Sequence, residues 1–148
     1  MTAILIDTNV LVYMFDRSVS DKHAQAIRIL TALQTSQLGC MSVQCISEFM
    51  KATTRGPLPK LSPHEAAAQA DWIMNSYPIY PLTSTVIRVA FRGFLEHRIS
   101  YYDAQIWACA FLNQIPVVFS EDFSDGQILE GVRFVNPFAE TFELEKWL

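Results

Sequence analysis

A chain of 148 residues that is 51% hydrophobic and 18% charged can bury one ordinary core and lies far from the polar, highly charged profile of disorder. Its formal charge of −4 argues against a partner held by a simple basic excess, unless acids are set aside: with four of the 15 acids bound to metal, 11 acids face 11 bases. No apolar run approaches the ~20 residues of a bilayer span, and the N-terminus lacks the flank and cleavage site of a secretory signal, so a cytoplasmic protein with no membrane partner is expected.

In chain order, residues 3–6 form a short apolar run that fits a strand buried on both faces, followed at once by Asp7 and a second apolar segment. Residues 20–35 carry Ala24, Ile27, Leu30 and Leu33 at spacings of three, which predicts an amphipathic helix. "GCMS" at 39–42 reads as the second strand, and 43–54 as a helix with Val43, Ile46, Phe49 and Met50 on one stripe. "RGPLPKLSP" at 55–63 is a loop by its glycine and prolines, and "SPHE" starts the next helix with Ser62 as N-cap, Pro63 at the first position and Glu65 three after the cap. "PIYP" at 78–81, a helix over 83–98, an almost wholly apolar helix over 100–113, and strands at 116–120 and 133–136 complete the chain. Strands alternating with helices predict one α/β domain over 1–148, with a parallel sheet of about five strands wrapped on both faces.

Asp7 therefore falls at the carboxyl end of the first strand, the edge where open α/β sheets gather ligands. Three more acids occupy comparable places. Glu48 sits off the apolar stripe of its helix, Asp103 lies three after Ser100 at a helix start, and Asp122 follows the strand "PVVF". Each has an ordinary explanation: Asp7 as helix cap, Glu48 as solvated surface, Asp103 as partner in a capping box, Asp122 as turn residue. Asp125, followed by Gly126, reads mainly as a turn residue. Jointly, Asp7, Glu48, Asp103 and Asp122 can project into one cleft. Four unneutralised carboxylates would repel and raise one another's pKa, which a hard divalent cation relieves, and Mg²⁺ or Mn²⁺ at such a site performs phosphodiester hydrolysis. His23, His64 and His97 show no ligand spacing, and Cys40, Cys45 and Cys109 no C-x-x-C pair, so the cysteines are expected in the core.

The stretches "ILIDTNVLVYMFD", "SVQCISEFMKA", "SYYDAQIWACAF" and "PVVFSEDFSDGQILEGVRFVNPF" resemble, in order and over nearly the whole chain, the four acidic motifs of the PIN domain, most closely the VapC-type ribonuclease toxins of toxin-antitoxin pairs. The resemblance implies a Rossmann-like three-layer fold with strand order 3-2-1-4-5 and an Mg²⁺-dependent endoribonuclease, with Mn²⁺ able to substitute. It assigns Asp7 and Asp103 as principal metal ligands and Glu48 and Asp122 as completing the site directly or through water. Ser120 stands where the family often has Thr, and Asn9 is expected near the metal-bound waters. Glu121 and Asp125 compete with Asp122 for the fourth acidic role. Products with 5′-phosphate and 3′-hydroxyl ends, a homodimer and a tight protein antitoxin are also implied.

For substrate grip the sequence offers Arg88 and Arg92, four apart on one helix, with Arg55 and Lys60 flanking the proline-rich loop, while Tyr101 or Tyr102 can stack on unpaired RNA bases. Phe138, Phe142 and Trp147 near the C-terminus are expected to cover the core, with contact to a partner as the alternative. Two alternatives remain from the residues themselves. A haloacid-dehalogenase-like phosphatase would use Asp7 as nucleophile, but has D-x-D where this chain has Asn9. A non-catalytic PIN-like interaction module would bind partners without metal.

Overall fold

The computed structural model describes residues 2–148. Its centre is strand β1 (Ile4–Ile6), three wholly buried aliphatic residues, flanked by β2 (Gly39–Ser42) and β4 (Val117–Phe119), both parallel to it. β3 (Ile79–Tyr80) continues the sheet beyond β2, and β6 (Val132–Val135) beyond β4. Five parallel strands thus stand in the expected order. The sheet nevertheless has six strands, because β5 (Ile128–Leu129) pairs antiparallel with β6 at the edge, giving β3-β2-β1-β4-β6-β5. The expected strand at 133–136 is β6, displaced by one residue, and the expected count of five omits β5.

β5 and β6 are joined by Glu130 and Gly131, both at positive φ (48° and 86°), the backbone of a two-residue hairpin turn. A glutamate in the left-handed region is disfavoured by its Cβ. Here its carboxylate is held by Arg92 and by His97 Nε2 at 2.7 Å. Arg92 also stacks over Trp107, so it belongs to this clamp and is not a free RNA contact, although Arg88 remains exposed.

The helices α1 (Thr8–Tyr13), α2 (Ser20–Ser36), α3 (Val43–Thr54), α4 (Pro63–Ser76), α5 (Ser84–Glu96) and α6 (Tyr101–Leu112) alternate with the strands much as periodicity predicts. The capping box of α4 forms in full: Ser62 Oγ accepts from Glu65 N, and the Glu65 side chain accepts from Ser62 N. In α2 the buried stripe is Ala26, Ile29, Leu30 and Leu33, whereas Ala24 and Ile27 face outward. Steps of three fall short of a 3.6-residue turn and drift around the helix, so the mixed 3–4 spacing wins. Helix α6, apolar almost all round, runs through the interior as expected, with Trp107 fully buried and its indole N–H donating to Leu129 O at 3.1 Å. Phe142 and Trp147 meet Phe119 edge-on at 5.4 and 5.7 Å between centroids, and Phe138 packs on Tyr13, so the C-terminal aromatics do cover the core. Cys40, Cys45 and Cys109 are buried free thiols.

Candidate active site

Sheet register places the first two site residues. Ile6 and Phe119 are partners across β1 and β4, so the residues that follow them, Asp7 and Ser120, emerge side by side at the carboxyl ends of adjacent strands. This is also where strand order reverses, with β2 on one side of β1 and β4 on the other. Asp7 N extends the ladder by donating to Phe119 O at 3.0 Å. The Asp7 carboxylate then serves as N-cap of α1, accepting from Thr8 N at 2.7 Å, and also accepts from Ser120 Oγ at 2.7 Å. The N-cap expected of Asp7 is formed.

Asn9 ties the fourth motif to the first. Its Nδ2 donates to Asp122 Oδ2 and to Ser120 Oγ, each at 3.2 Å, and lies 3.5 Å from Asp7 Oδ2. Ser120 Oγ accepts in turn from Asp122 N at 3.1 Å. Glu48 enters from α3, with Thr8 Oγ1 donating to its Oε2 at 2.8 Å and Gln44 Nε2 to its Oε1 at 2.8 Å. Asp103 lies in the first turn of α6, whose N-cap Ser100 accepts from Asp103 N at 3.3 Å. Its carboxyl is pushed up by burial and further by the charges of Asp122 and Glu48. For Asp7 burial is the largest cause, with Asp122 and Glu48 adding to it, and its pKa is raised to about 7 despite the Ser120 and Thr8 bonds. Asp122 and Glu48 thus act on both Asp7 and Asp103.

The other two acids of the fourth motif have partners of their own, although Glu121 also lines the cleft. Glu121 accepts from Tyr13 OH at 2.6 Å and from Lys22 Nζ at 2.7 Å, so its charge is matched by a cation that also sits over the Tyr13 ring. Asp125 does not join the group; its Oδ1 accepts from Asn136 N at 2.9 Å and fixes the chain leaving β6. Among the described residues no lysine or arginine pairs with Asp7, Glu48, Asp103 or Asp122, in contrast to Glu121.

Among the described residues, no three His, Cys, Asp or Glu side chains are gathered tightly enough to ligate one ion together. The donor set nonetheless fits a hard cation. All four groups are oxygen donors, two are destabilised as anions, none has a protein counter-ion, and Mg²⁺ characteristically uses one or two carboxylates and keeps several waters. The cleft beside them, about 430 Å³, is lined by Asn9, Glu48 and Asp122 and also by Lys51, Arg55 and Lys60. Sequence reasoning did not single out Thr8, Tyr13, Lys22, Gln44, Lys51 or Gln105. The usable signal was a polar residue on a face otherwise given to the core, as for Gln44 and Gln105, which are 6% and 4% exposed.

A mostly parallel α/β sheet bearing linked carboxylates at its switch point defines the class. Residues 4–124 match the PIN domain model, and the chain belongs to the PIN domain family. No curated protein matches it. Among solved structures it is similar to VapC20 of Mycobacterium tuberculosis, described as a sarcin-ricin loop cleaving toxin, at 19% identity and a TM-score of 0.64 over 81% of this chain and 90% of that one. It is also similar to a toxin-antitoxin complex from Klebsiella pneumoniae (19% identity, TM-score 0.66, 91% and 98% covered). DNA-bound VapBC from Salmonella typhimurium gives 18% identity and a TM-score of 0.65, with 90% and 97% covered. At these identities the likeness shows a shared fold.

Proposed function

We propose that the chain, acting as one PIN domain, is a divalent-metal-dependent endoribonuclease and the toxin of a toxin-antitoxin pair, working in the cytoplasm. The observation that supports this reading is that Asp122 and Glu48 bear on both Asp7 and Asp103, raising the pKa of each, while no lysine or arginine pairs with any of the four among the described residues. Asp7 and Asp103 would hold Mg²⁺, or Mn²⁺ in its place, with Glu48 and Asp122 completing the site directly or through water. Such an ion, when bound, supplies charge stabilisation at the phosphodiester and a more acidic attacking water.

The chain's own residues do the rest. Ser120 and the Thr8 backbone fix the Asp7 carboxylate, Thr8 Oγ1 and Gln44 aim Glu48, and Asn9 keeps Asp122 turned toward Asp7. Lys22 withdraws Glu121 from the electrostatics of the cleft. Lys51, Arg55 and Lys60 line the same cleft and offer cations to the RNA backbone on either side of the scissile phosphate, although Lys60 shares its charge with Asp16 at 3.8 Å. Structures of toxin-antitoxin complexes with this fold support a protein antitoxin as partner. Phe91, Phe94 and Leu95 on α5 are 50%, 47% and 73% exposed, apolar surface of the kind a homodimer buries.

The test is cleavage of a 5′-labelled, unstructured RNA. Cutting is expected with Mg²⁺ or Mn²⁺ and none with EDTA, and Asp103→Asn should lower the rate at least ~100-fold while the far-ultraviolet spectrum is unchanged. Cleavage that persists in EDTA and in the variant refutes the assignment.

A further inference from the structure

A second hollow, about 500 Å³, adjoins the cleft on the far side of Glu48. Glu48 and Lys51, one turn apart on α3, line both spaces and form the wall between them. The rest of the hollow is made of Val43, Leu82, Tyr102, Ser47, Gln44 and Gln105. Tyr102 is 66% exposed although it is aromatic and lies directly beside Asp103, and Leu82 is 38% exposed. The space is thus largely apolar with a few polar atoms at fixed places, the usual make-up of a small-molecule subsite.

The polar atoms are ordered by a one-way relay. Gln44 Nε2 donates to Tyr102 O at 3.1 Å and to Glu48 Oε1 at 2.8 Å. A peptide carbonyl can only accept, so the orientation of the Gln44 amide is set and its oxygen is left facing Gln105. Gln105 Nε2 donates to that oxygen at 2.8 Å, which sets the second amide too. The relay ends on Gln105 Oε1. No described residue donates to this oxygen, though Gln105 is only 4% exposed. Among the described residues no side-chain nitrogen or oxygen is sealed away without a partner, so this one keeps some accessible surface, and the hollow is the space that Gln105 lines.

We propose that this hollow is a subsite for one unstacked nucleobase bearing an exocyclic amino group, with Tyr102 as its stacking face and Gln105 Oε1 as the acceptor for its amino hydrogen. The inference rests on the RNA reading above and adds which base is preferred beside the cut. Adenine, cytosine and guanine carry a protruding amino donor. Uracil has a single N–H flanked by two carbonyl oxygens, which would be pressed against the Gln105 oxygen. Because Glu48 and Lys51 divide the two spaces, a phosphate in the acidic cleft and its own base in the hollow suit a strand bent over that wall.

Binding is measured by fluorescence anisotropy with labelled six-nucleotide oligo(A), oligo(C) and oligo(U) in EDTA, where the proposed cleavage is silent. Wild-type protein is expected to bind oligo(A) and oligo(C) about tenfold tighter than oligo(U), within the range that one stacked, hydrogen-bonded base contributes. Tyr102→Ala should weaken oligo(A) binding about tenfold, and Tyr102→Phe should restore it. Gln105→Met, checked for folding by thermal melting, should bring the three oligonucleotides to within about twofold of one another by removing the discriminating acceptor. Equal binding of all three by the wild type, no binding, or an unaffected Tyr102→Ala variant overturns the subsite. Cleavage with Mg²⁺ is scored separately. A chain that cuts RNA with Mg²⁺ but binds the three oligonucleotides equally in EDTA loses the subsite and keeps the nuclease, and a selective binder that cuts nothing with Mg²⁺ does the reverse.

Discussion

Replacing Asp7 by Asn is expected to abolish RNA cleavage, by at least ~1000-fold, while making the metal-free protein more stable at neutral and alkaline pH. Both effects come from the same burial. Asp7 is 3% exposed, lies beside two other carboxylates and has its pKa raised to about 7 from an ordinary 3.8. An acid whose folded pKa exceeds its unfolded one binds protons more tightly when folded, so its contribution to stability is lost as pH rises from about 4 through about 7. Above that window the full penalty applies, roughly 2–4 kcal/mol for a shift of this size.

Asn caps a helix as well as Asp does, so α1 keeps its N-terminal bond. Thermal melts in EDTA should show the variant above the wild type by roughly 5–10 °C at pH 8 and no advantage near pH 4. Adding Mg²⁺ should raise the wild type and leave the variant almost unmoved, because a cation stabilises only the form that binds it. A variant that retains cleavage, or melts below the wild type at pH 8, contradicts the role given to Asp7.

The second large effect is structural. Trp107→Ala is expected to cost about 3–5 kcal/mol, since it empties the largest fully buried side-chain site and removes the donor to Leu129 O. The neighbouring Gly93 supplies the control. A Cβ built there would stand 2.7 Å from Trp107 Cε3 and 2.9 Å from Cζ3, against a ring that cannot swing aside because Phe111 stacks on it at 5.4 Å. Gly93→Ala alone should therefore destabilise by about 1–3 kcal/mol, although a mid-helix alanine ordinarily gains close to 1 kcal/mol over glycine. In the Trp107→Ala background the clash is gone and the same change should become neutral or stabilising. Chemical denaturation of the four proteins closes this cycle, and additive effects would show that the close approach of α5 and α6 is not what requires glycine.

Much of the architecture was legible because it is written in short-range terms. The capping box at Ser62, the buried triplet Ile4–Ile6 and the apolar helix α6 each depend on residues within a few positions. The acids at strand ends were legible for the same reason, since a charged residue directly after a wholly apolar strand marks its exit from the core. Spacing alone failed in α2, where equal steps of three pointed to Ala24 and Ile27 and the helical period chose Ala26 and Ile29. It failed again at β5, where Glu-Gly carries a weaker hairpin signal than Asn-Gly or Asp-Gly and the turn depends on Arg92 and His97 from another part of the chain.

By itself, then, the sequence determined the alternation of strands and helices and the parallel sheet, and it pointed to four acids as candidates for its carboxyl edge. Only the tertiary structure decided how each acid is used. Glu121 and Asp122 are neighbours in the chain, yet Lys22 neutralises the first while Asn9 turns the second toward Asp7. Arg92 is withdrawn into a clamp, and Gln44 and Gln105, 61 positions apart, form one relay. The physical reason is reach: periodicity, caps and turns act over a turn or two of backbone, whereas a charge or an amide is defined by whichever partner the packed sheet and helices bring within 3 Å.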